Sequence, residues 1–286
     1  MSTLRLQHDE GNSVDVIVGD RLLCRYVYVS RADLKESPRP YFHPVNSLAG
    51  DTLTNFRPND HPWHHGLSFT LTNVSGANFW GGPTCQREDG YKFRDDHGVQ
   101  RHVAWSKLEA AGAIATLAHS LDWNKGTHRM FSEERALAIA VDETKKTWSL
   151  RWRAQLKNVS GGGLSLGNPH SFGGLAGSHY TGLAFRGARE LLDDHMDPKI
   201  KVVAEGGLEG DKVVHGALAR WMEWHGQLDE SLNRVTLRFE NNSGPLHWFV
   251  RRGYPLAVFP VQFDQNLALA ANAVLEIDHT LTFSAT

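Results

Sequence analysis

Histidine, the side chain best suited to proton transfer near neutral pH, is concentrated between residues 39 and 82. The stretch reads R-P-Y-F-H-P-V, then R-P-N-D-H-P-W-H-H-G-L, then N-F-W-G-G-P. It contains His43, Asp60, His61, His64 and His65. Imidazole can transfer a proton, bind a metal or hydrogen-bond a hydroxyl group. The interleaved prolines disfavour helix, so we expect a stiff loop between strands that presents these residues to a ligand.

Two later segments carry residue types that suit the same chemistry. His170 lies in L-S-L-G-N-P-H-S-F-G-G, where glycines let the backbone approach a ligand closely. The segment L-H-W-F-V-R-R-G-Y-P-L-A-V-F-P-V-Q-F-D places polar residues around an apolar strand: Arg251, Arg252, Tyr254 and Asp264. The planar guanidinium group suits carboxylates or paired hydroxyls. Because side chains alternate along a strand, only one of the two arginines can face a given cavity.

Alternation of apolar and polar residues with period two runs through the sequence and predicts the strands that must position these groups. It is clearest at 147–156, 233–239 and 273–283. Further strands are predicted at 4–7, 13–18, 22–30, 67–74, 99–109, 114–123, 135–141, 180–185, 220–224 and 256–263. The best helical candidate is a short stretch at 189–196. We therefore predict an all-β fold, a large antiparallel β-sandwich with very little helix, as a single domain over residues 1–286.

The residues that alternate with the apolar ones suggest a ligand surface. Several predicted strands carry Arg, Thr, Gln or Asp on their second face, which predicts one broad polar sheet surface. A concave surface of this kind is a natural floor for a carbohydrate. The chain also has 16 His and 9 Trp beside only 4 Met. Aromatic rings can cover the apolar C–H faces of a sugar while polar side chains bind its hydroxyls.

The composition and net charge of the chain limit the classes of binding partner that we expect. The formal net charge of -2 and pI of about 6.8 give no basic surface for phosphates, so we do not expect nucleic acid as a partner. No apolar run approaches the ~18–20 residues that span a bilayer, so we expect no membrane partner. Two cysteines and no signal-peptide pattern predict a cytoplasmic protein. The sequence leaves homo-oligomerisation open.

Five motifs resemble a bacterial family of unknown function that carries the label methane oxygenase PmoA. They are R-P-Y-F-H-P-V, D-H-P-W-H-H-G-L, N-F-W-G-G-P-T, Y-T-G-L-A-F-R-G at 180–187 and W-F-V-R-R at 248–252, which together cover nearly the whole chain. Relatives often have H-P-H-H-R where this sequence has H-P-W-H-H, so Trp63 and His65 depart from the family pattern. The label names a membrane enzyme, whereas this sequence lacks an apolar run of spanning length.

The resemblance implies a fold similar to the galactose-mutarotase supersandwich. In mutarotases, histidines, an arginine and a late carboxylate surround the sugar. The positions that match them here are His64 or His65, His170, Arg251 or Arg252, and Asp264. The motifs and the segment after them also supply residues that we expect to contact a substrate beside those of the histidine-rich stretch: Trp80, Tyr180, Arg186, Trp248 and Tyr254.

We interpret the sequence as that of a carbohydrate-modifying enzyme of the epimerase, mutarotase, lyase or keto-sugar hydrolase type, with no cofactor. Its ligand would be a small carbohydrate or keto-sugar. The acid would be His170 or one of His64 and His65, and the base Asp264 or a second histidine. Two alternatives stay open. One is an oxygenase or hydrolase that holds zinc or iron through histidines; the other is a carbohydrate-binding module without catalysis. The candidate metal ligands are His43, His61, His64 and His170.

Overall fold

Strands make up most of the computed structural model, which describes residues 3–195, 197, 199–251 and 253–285. In chain order the strands are β1 (Leu4–Asp9), β2 (Ser13–Val18), β3 (Arg21–Val27), β4 (Tyr41–Val45), β5 (Leu67–Leu71), β6 (Asn73–Val74), β7 (Thr84–Gln86), β8 (Gly90–Lys92), β9 (Val99–Ala111), β10 (Ile114–Lys125), β11 (His128–Asp142), β12 (Thr147–Asn158), β13 (Leu164–Gly167), β14 (Thr181–Arg186), β15 (Lys201–Ala204), β16 (Leu208–Glu209), β17 (Leu218–Ala219), β18 (Trp221–Gln227), β19 (Arg234–Asn241), β20 (Leu246–His247), β21 (Phe249–Arg251), β22 (Leu256–Phe259), β23 (Leu267–Leu269) and β24 (Val274–Ala285).

Helix is scarce. The described chain has one α-helix, Asp211–Val214, and 3-10 turns at Leu34–Glu36, Arg189–Leu191 and Glu205–Gly207. The helix predicted at 189–196 is thus a single 3-10 turn at its start, and its last residue, Met196, lies outside the described residues. Among the described residues, no helix has the length and hydropathy needed to cross a bilayer.

Two large sheets form the sandwich. One has eight strands in the order β1-β2-β3-β4-β5-β14-β22-β21, and the other has nine in the order β16-β15-β18-β19-β24-β12-β11-β10-β9. Every ladder between these strands in the described chain is antiparallel. The all-β, antiparallel prediction is confirmed.

The core lies between the two sheets because the apolar residues of each strand share one face. On β12 the buried side chains are those predicted from the alternation: Trp148, Leu150, Trp152, Ala154 and Leu156. Rings from opposite sheets meet there, as with Phe69 and Trp123, whose centroids are 5.7 Å apart, and Phe185 and Phe239 at 5.5 Å. Removal of this apolar surface from water is the main force that holds the sheets together.

The expected polar floor lies on the outer face of the nine-stranded sheet, where it does not meet the histidine-rich stretch. Outward side chains of β12 and β24 pair with one another instead. Arg151 donates from Nε to Oδ1 of Asp278 at 2.9 Å and from Nη2 to Oδ2 at 2.6 Å, and Gln155 donates to Glu276. Because these side chains hydrogen-bond to one another at an exposed position, we interpret this face as a solvated surface.

The eight-stranded sheet differs because three adjacent strands are buried on both faces. Every residue of β5, β14 and β22 is buried. Leu183 and Phe185 point into the main core, whereas Ala184, Leu256 and Val258 point outward into a second apolar cluster. An outer layer of loops must therefore cover this sheet, and the histidine-rich stretch is part of that layer.

A buried ion pair lies inside the main core, and we predict that it contributes strongly to stability. Arg135 donates from Nε to Oε1 of Glu133 at 2.6 Å, and Tyr26 and Trp123 complete the network. Glu133→Gln removes the counter-charge and leaves the guanidinium buried beside a neutral amide. The free energy of unfolding should fall by about 3 kcal/mol in urea titrations. Glu134→Gln, at the exposed neighbouring position, should change it by less than ~0.5 kcal/mol, and equal losses would contradict the role of the pair.

Acid should destabilise the fold through His279. This buried ring lies 4.2 Å from the Phe259 ring, its Nδ1 lies 3.0 Å from Oδ1 of Asn241, and burial lowers its pKa to about 3. An unfolded histidine takes up a proton near pH ~6.5. Between these two values only the unfolded chain is protonated at this residue. The stability contribution is therefore complete above about pH 6.5 and is lost as pH falls toward about 3.

The measurement is the urea unfolding free energy of wild type and His279→Gln between pH 7 and pH 5. Near pH 5 the wild-type slope should exceed that of the variant by about 1.4 kcal/mol per pH unit, the value for one proton. His128→Gln, at an exposed position on β11, is the control and should keep the wild-type slope. Parallel curves for wild type and His279→Gln would contradict the prediction.

Candidate functional site

A cavity of about 370 Å³ lies over the second apolar cluster, on the outer side of the eight-stranded sheet. Its walls come from four segments: the loop before β5, the stretch after β6, the loop between β13 and β14, and the C-terminal region around β21. Pockets of this size accept small organic ligands. Six residues form its inner wall: His61, Trp63, His64, Trp80, Tyr180 and Tyr254.

The loop at residues 57–66 is folded by its own backbone. His61 N donates to the Pro58 carbonyl oxygen at 2.9 Å, and His64 N donates to that of His61 at 3.0 Å. Arg186 N donates to the Gly66 carbonyl at 2.8 Å, which ties the loop to the end of β14. The prolines leave few donors to satisfy and favour these tight turns. The loop therefore presents His61 and His64 from consecutive turns beside the sheet.

A buried arginine holds the loop from beneath. Arg39, 2% exposed, donates to the carbonyl oxygens of Glu36 at 2.7 Å, Ser37 at 3.0 Å and Trp63 at 2.7 Å, and to Ser68 Oγ at 3.1 Å. Burial lowers the pKa of Arg39 to about 9, so it stays charged at neutral pH. These bonds join the 3-10 turn, the loop and β5 at one point.

His61 and His64 face the cavity together, with ring centroids 5.0 Å apart. His61 Nδ1 lies 3.0 Å from Oδ2 of Asp60, at ion-pair distance but not at a hydrogen-bond angle, and its Nε2 is left for a ligand. His64 is 4% exposed, and neither ring nitrogen has a hydrogen-bond partner among the described residues. Burial, with the positive charge of Arg186 added, lowers the pKa of His64 well below its ordinary value. His64 is therefore neutral at pH 7.

Aromatic rings supply the rest of the wall. Trp63 packs on His61 at 5.1 Å, Trp80 on Tyr180 at 5.2 Å, and Tyr254 on His61 at 5.2 Å, measured between ring centroids. The Tyr180 and Tyr254 hydroxyls hydrogen-bond to each other. At the opening stand two exposed apolar side chains, Tyr91 and Leu175. The cavity thus combines flat apolar faces with a few polar groups.

Several predicted site residues fall in or beside this cavity. His61, His64, Trp80, Tyr180, Arg251 and Tyr254 line it. Arg186 lies one layer behind, with its Cζ 4.5 Å from the Tyr254 ring, and Asp60 is exposed beside His61. Two loop histidines, His61 and His64, and the late Arg251 thus line one cavity.

Three predicted residues point elsewhere. His65 is 1% exposed and its Nε2 lies 2.8 Å from Oε2 of Glu36, because neighbours in an extended chain point to opposite sides. His43 lies within β4 and not in a loop; it pairs with Thr54 Oγ1 at 3.0 Å and stacks on a ring outside the cavity. Trp248 is fully buried in the main core, where its Nε1 donates to the Ala219 carbonyl. It cannot contact a substrate in this conformation.

His170 and Asp264 form a separate group near the cavity opening. His170 Nε2 lies 3.6 Å from Oδ1 of Asp264, and its Nδ1 accepts from Gly177 N at 3.1 Å. Neither residue lines the cavity, although Pro169, which precedes His170, does. The Asp264 carboxylate is largely exposed to solvent. The structure therefore separates this expected acid–base pair from the two loop histidines.

The metal alternative is not supported by the arrangement of side chains. Its four histidines are divided among three places: His43 with Thr54, His61 with His64 in the cavity, and His170 with Asp264. Within the described ranges, no group of three or more His, Cys, Asp or Glu is arranged to hold a metal ion. Arg252, which we predicted to bind the substrate, lies outside the described residues.

Sequence reasoning missed residues that shape the site. Trp63 was identified only as a departure from a motif, yet it forms one wall of the cavity. Tyr91 comes from the hairpin of β7 and β8, which has no distinctive sequence pattern. Glu36 binds Arg57 at 2.8 Å as well as His65, and only the long-range contacts reveal that role.

A family model, described as a family of unknown function (DUF6807), matches residues 13–285. The chain belongs to this family. The match assigns no activity, and the methane oxygenase label of the sequence resemblance is not supported. No curated protein matches this DUF6807 sequence significantly.

Solved structures resemble this DUF6807 protein distantly. An α-galactosidase from Lactobacillus brevis has 10% identity and a TM-score of 0.42 over 99% of this chain and 39% of its own. A GH36 α-galactosidase from Geobacillus stearothermophilus, in complex with stachyose, has 12% identity and a TM-score of 0.43 over 100% of this chain and 40% of its own. A protein from Synechocystis sp. PCC 6803 has 11% identity and a TM-score of 0.38 over 100% and 96%. The chain spans about two-fifths of the length of the galactosidases.

Gly82 should control the position of the Trp63 wall. Its φ is +71°, and an added Cβ would lie 2.4 Å from Cδ2 of the Trp63 ring. Gly82→Ala should therefore displace the indole and change the near-ultraviolet circular dichroism and tryptophan fluorescence. Gly11→Ala is the matched control, since Gly11 has a φ of +75° and no atom within 4 Å of an added Cβ.

Both alanine variants should lose about 1 kcal/mol of stability from the positive φ. Only Gly82→Ala should change the spectra, and the change should vanish when Trp63→Phe is the background. Identical spectra for the two variants would mean that Gly82 does not position this wall.

Proposed function

We propose that the cavity binds a carbohydrate and that His61 and His64 carry out acid–base chemistry on it. The observation that carries this proposal is the pair of imidazoles, 5.0 Å apart, in a cavity walled by aromatic rings. Flat rings suit the C–H faces of a sugar, and the two histidines can reach neighbouring oxygens of one ring. A monosaccharide-sized ligand suits the volume of about 370 Å³.

The environments of the two histidines give them different roles. Asp60 Oδ2 lies 3.0 Å from His61 Nδ1, so the ring is oriented by a carboxylate and we assign it as the proton donor. His64 is kept neutral by burial and by Arg186, and the ring nitrogen that carries no hydrogen can accept a proton from a substrate hydroxyl. An acid and a base on adjacent turns are what the opening of a sugar ring requires.

Interconversion of anomers is the reaction that this pair supports best. His61 protonates the ring oxygen as the bond from that oxygen to the anomeric carbon breaks, while His64 removes the proton of the anomeric hydroxyl. After rotation of the open aldehyde, closure on its other face returns both protons. Hydrolysis through two carboxylates is less well supported, because no Asp or Glu of the described chain lines the cavity.

Substitution of either histidine should lower the rate of turnover far more than the affinity for the sugar. We expect His61→Asn and His64→Asn each to slow anomer interconversion about 100-fold or more, since general acid–base catalysis contributes on that scale. The rate is measured by exchange NMR on α- and β-anomers of common aldoses and keto-sugars, and binding by tryptophan fluorescence. His225→Asn, on β18 of the nine-stranded sheet, is the control and should keep wild-type turnover.

Two outcomes would contradict this assignment. Saturable binding by wild type without any conversion would make the protein a binding module. A loss confined to His170→Asn would move the acid–base chemistry to the group at the cavity opening. Circular dichroism of His64→Asn, with His64→Gln as a second variant, separates loss of chemistry from loss of fold.

A further inference from the structure

Buried Arg186 and half-buried Arg251, both near the cavity, have fewer polar partners than the buried Arg39 and Arg135. Arg135 has Glu133, and Arg39 has four oxygen acceptors. Arg186, 4% exposed, leaves Nε and Nη1 without partners, and Arg251 leaves its buried Nε without one. Among the described residues, no carboxylate lies within 4.0 Å of either guanidinium.

Arg186 and Arg251 place two positive charges at the cavity, and the exposed carboxylate of Asp60 acts on Arg186 only at longer range. Arg251 lines the cavity directly, and its Cζ lies 5.9 Å from the centroid of the Tyr180 ring and 5.4 Å from that of Phe249. Arg186 adds a charge behind the Tyr254 ring, and its pKa, lowered to about 10 by burial, leaves it protonated at neutral pH. Unpaired charges in a partly desolvated site are costly unless a ligand of opposite charge occupies it.

Further donors lie beside Arg251. The Tyr180 and Tyr254 hydroxyls share one hydrogen bond, which leaves one hydroxyl hydrogen free to donate. Burial raises the pKa of Tyr180, so its hydroxyl remains protonated at neutral pH. A guanidinium fork with an adjacent hydroxyl donor matches the two oxygens of a carboxylate.

Resting on the proposed function, we infer that the sugar bound in this cavity is a sugar acid whose carboxylate is held by Arg251 beside the Tyr180–Tyr254 pair. A carboxylate fits better than a phosphate, since phosphate sites usually recruit several backbone N–H groups at a helix N-terminus or a glycine-rich nest. The described chain has one α-helix, Asp211–Val214, and none of its residues lines the cavity. Arg186 supplies long-range attraction, and Arg251 makes the contact.

The test compares sugars that differ only in charge. Binding of D-glucuronate and D-glucose, of D-galacturonate and D-galactose, and of D-glucose 6-phosphate is measured by titration calorimetry at low and high salt. Wild type should bind the uronate of at least one pair about ten-fold or more tightly than its neutral partner. Arg251→Gln should reduce that ratio to about one, and Arg251→Lys should leave an intermediate ratio because it keeps the charge and loses the fork. Arg151→Gln, on the outer face of the nine-stranded sheet, should keep the wild-type ratio.

The possible outcomes distinguish failure of the sugar-acid inference from failure of the proposed carbohydrate function. Equal or tighter binding of the neutral sugars would overturn the sugar-acid assignment while the carbohydrate function stands. Tighter binding of D-glucose 6-phosphate than of either uronate would indicate that Arg251 binds a phosphate and not a carboxylate. A charge preference that survives in Arg251→Gln would remove Arg251 from the contact. Absence of binding by every sugar, neutral or acidic, would overturn the proposed function and this inference together.

Discussion

The buried guanidinium of Arg39 is the constraint on which the candidate site depends. It bonds to the 3-10 turn at Leu34–Glu36, to Ser68 on β5 and to the carbonyl of Trp63, the last two of which lie 29 and 24 residues from Arg39 in sequence. A planar donor with five N–H groups can hold such elements in one geometry, which a lysine cannot do. The backbone bonds within the loop at 57–66 set its turns, and the bond from Arg39 to the Trp63 carbonyl fixes the loop against β5.

The two sheets differ in how their outer faces are covered, and this difference decides which sheet carries the cavity. The nine-stranded sheet buries one face and exposes the other, where Arg151 and Asp278 pair in solvent. The eight-stranded sheet is covered on both faces at β5, β14 and β22, and its outer layer contains the cavity. Short outward side chains such as Ala184 leave room for that layer, and Arg186, two residues further along the same face, places its charge behind the ligand space.

The positions of the long strands β9 to β12 and β24 could be predicted because alternation is a local property of the chain, whereas short strands such as β4 were missed. The order of strands within each sheet could not, since β14 lies between β5 and β22 through contacts distant in sequence. The same limit applies to the site. Alternation implies that only one of His64 and His65 faces a cavity, and that Trp248 and Arg251 point to opposite sides, but it does not say which side is which. His65 is turned away from the cavity because it contacts Glu36, and no sequence pattern predicts that contact.

We propose that ligand chemistry takes place over the outer face of the eight-stranded sheet, at His61 and His64. The most direct measurement is a long-range ¹H–¹⁵N NMR titration of the imidazole resonances with D-glucuronate and D-glucose, assigned by single His→Gln variants. We expect saturable shifts of the His61 and His64 ring nitrogens, with His65 and His279 unchanged. Shifts confined to His170 and its neighbour His179, with His61 and His64 silent, would contradict it.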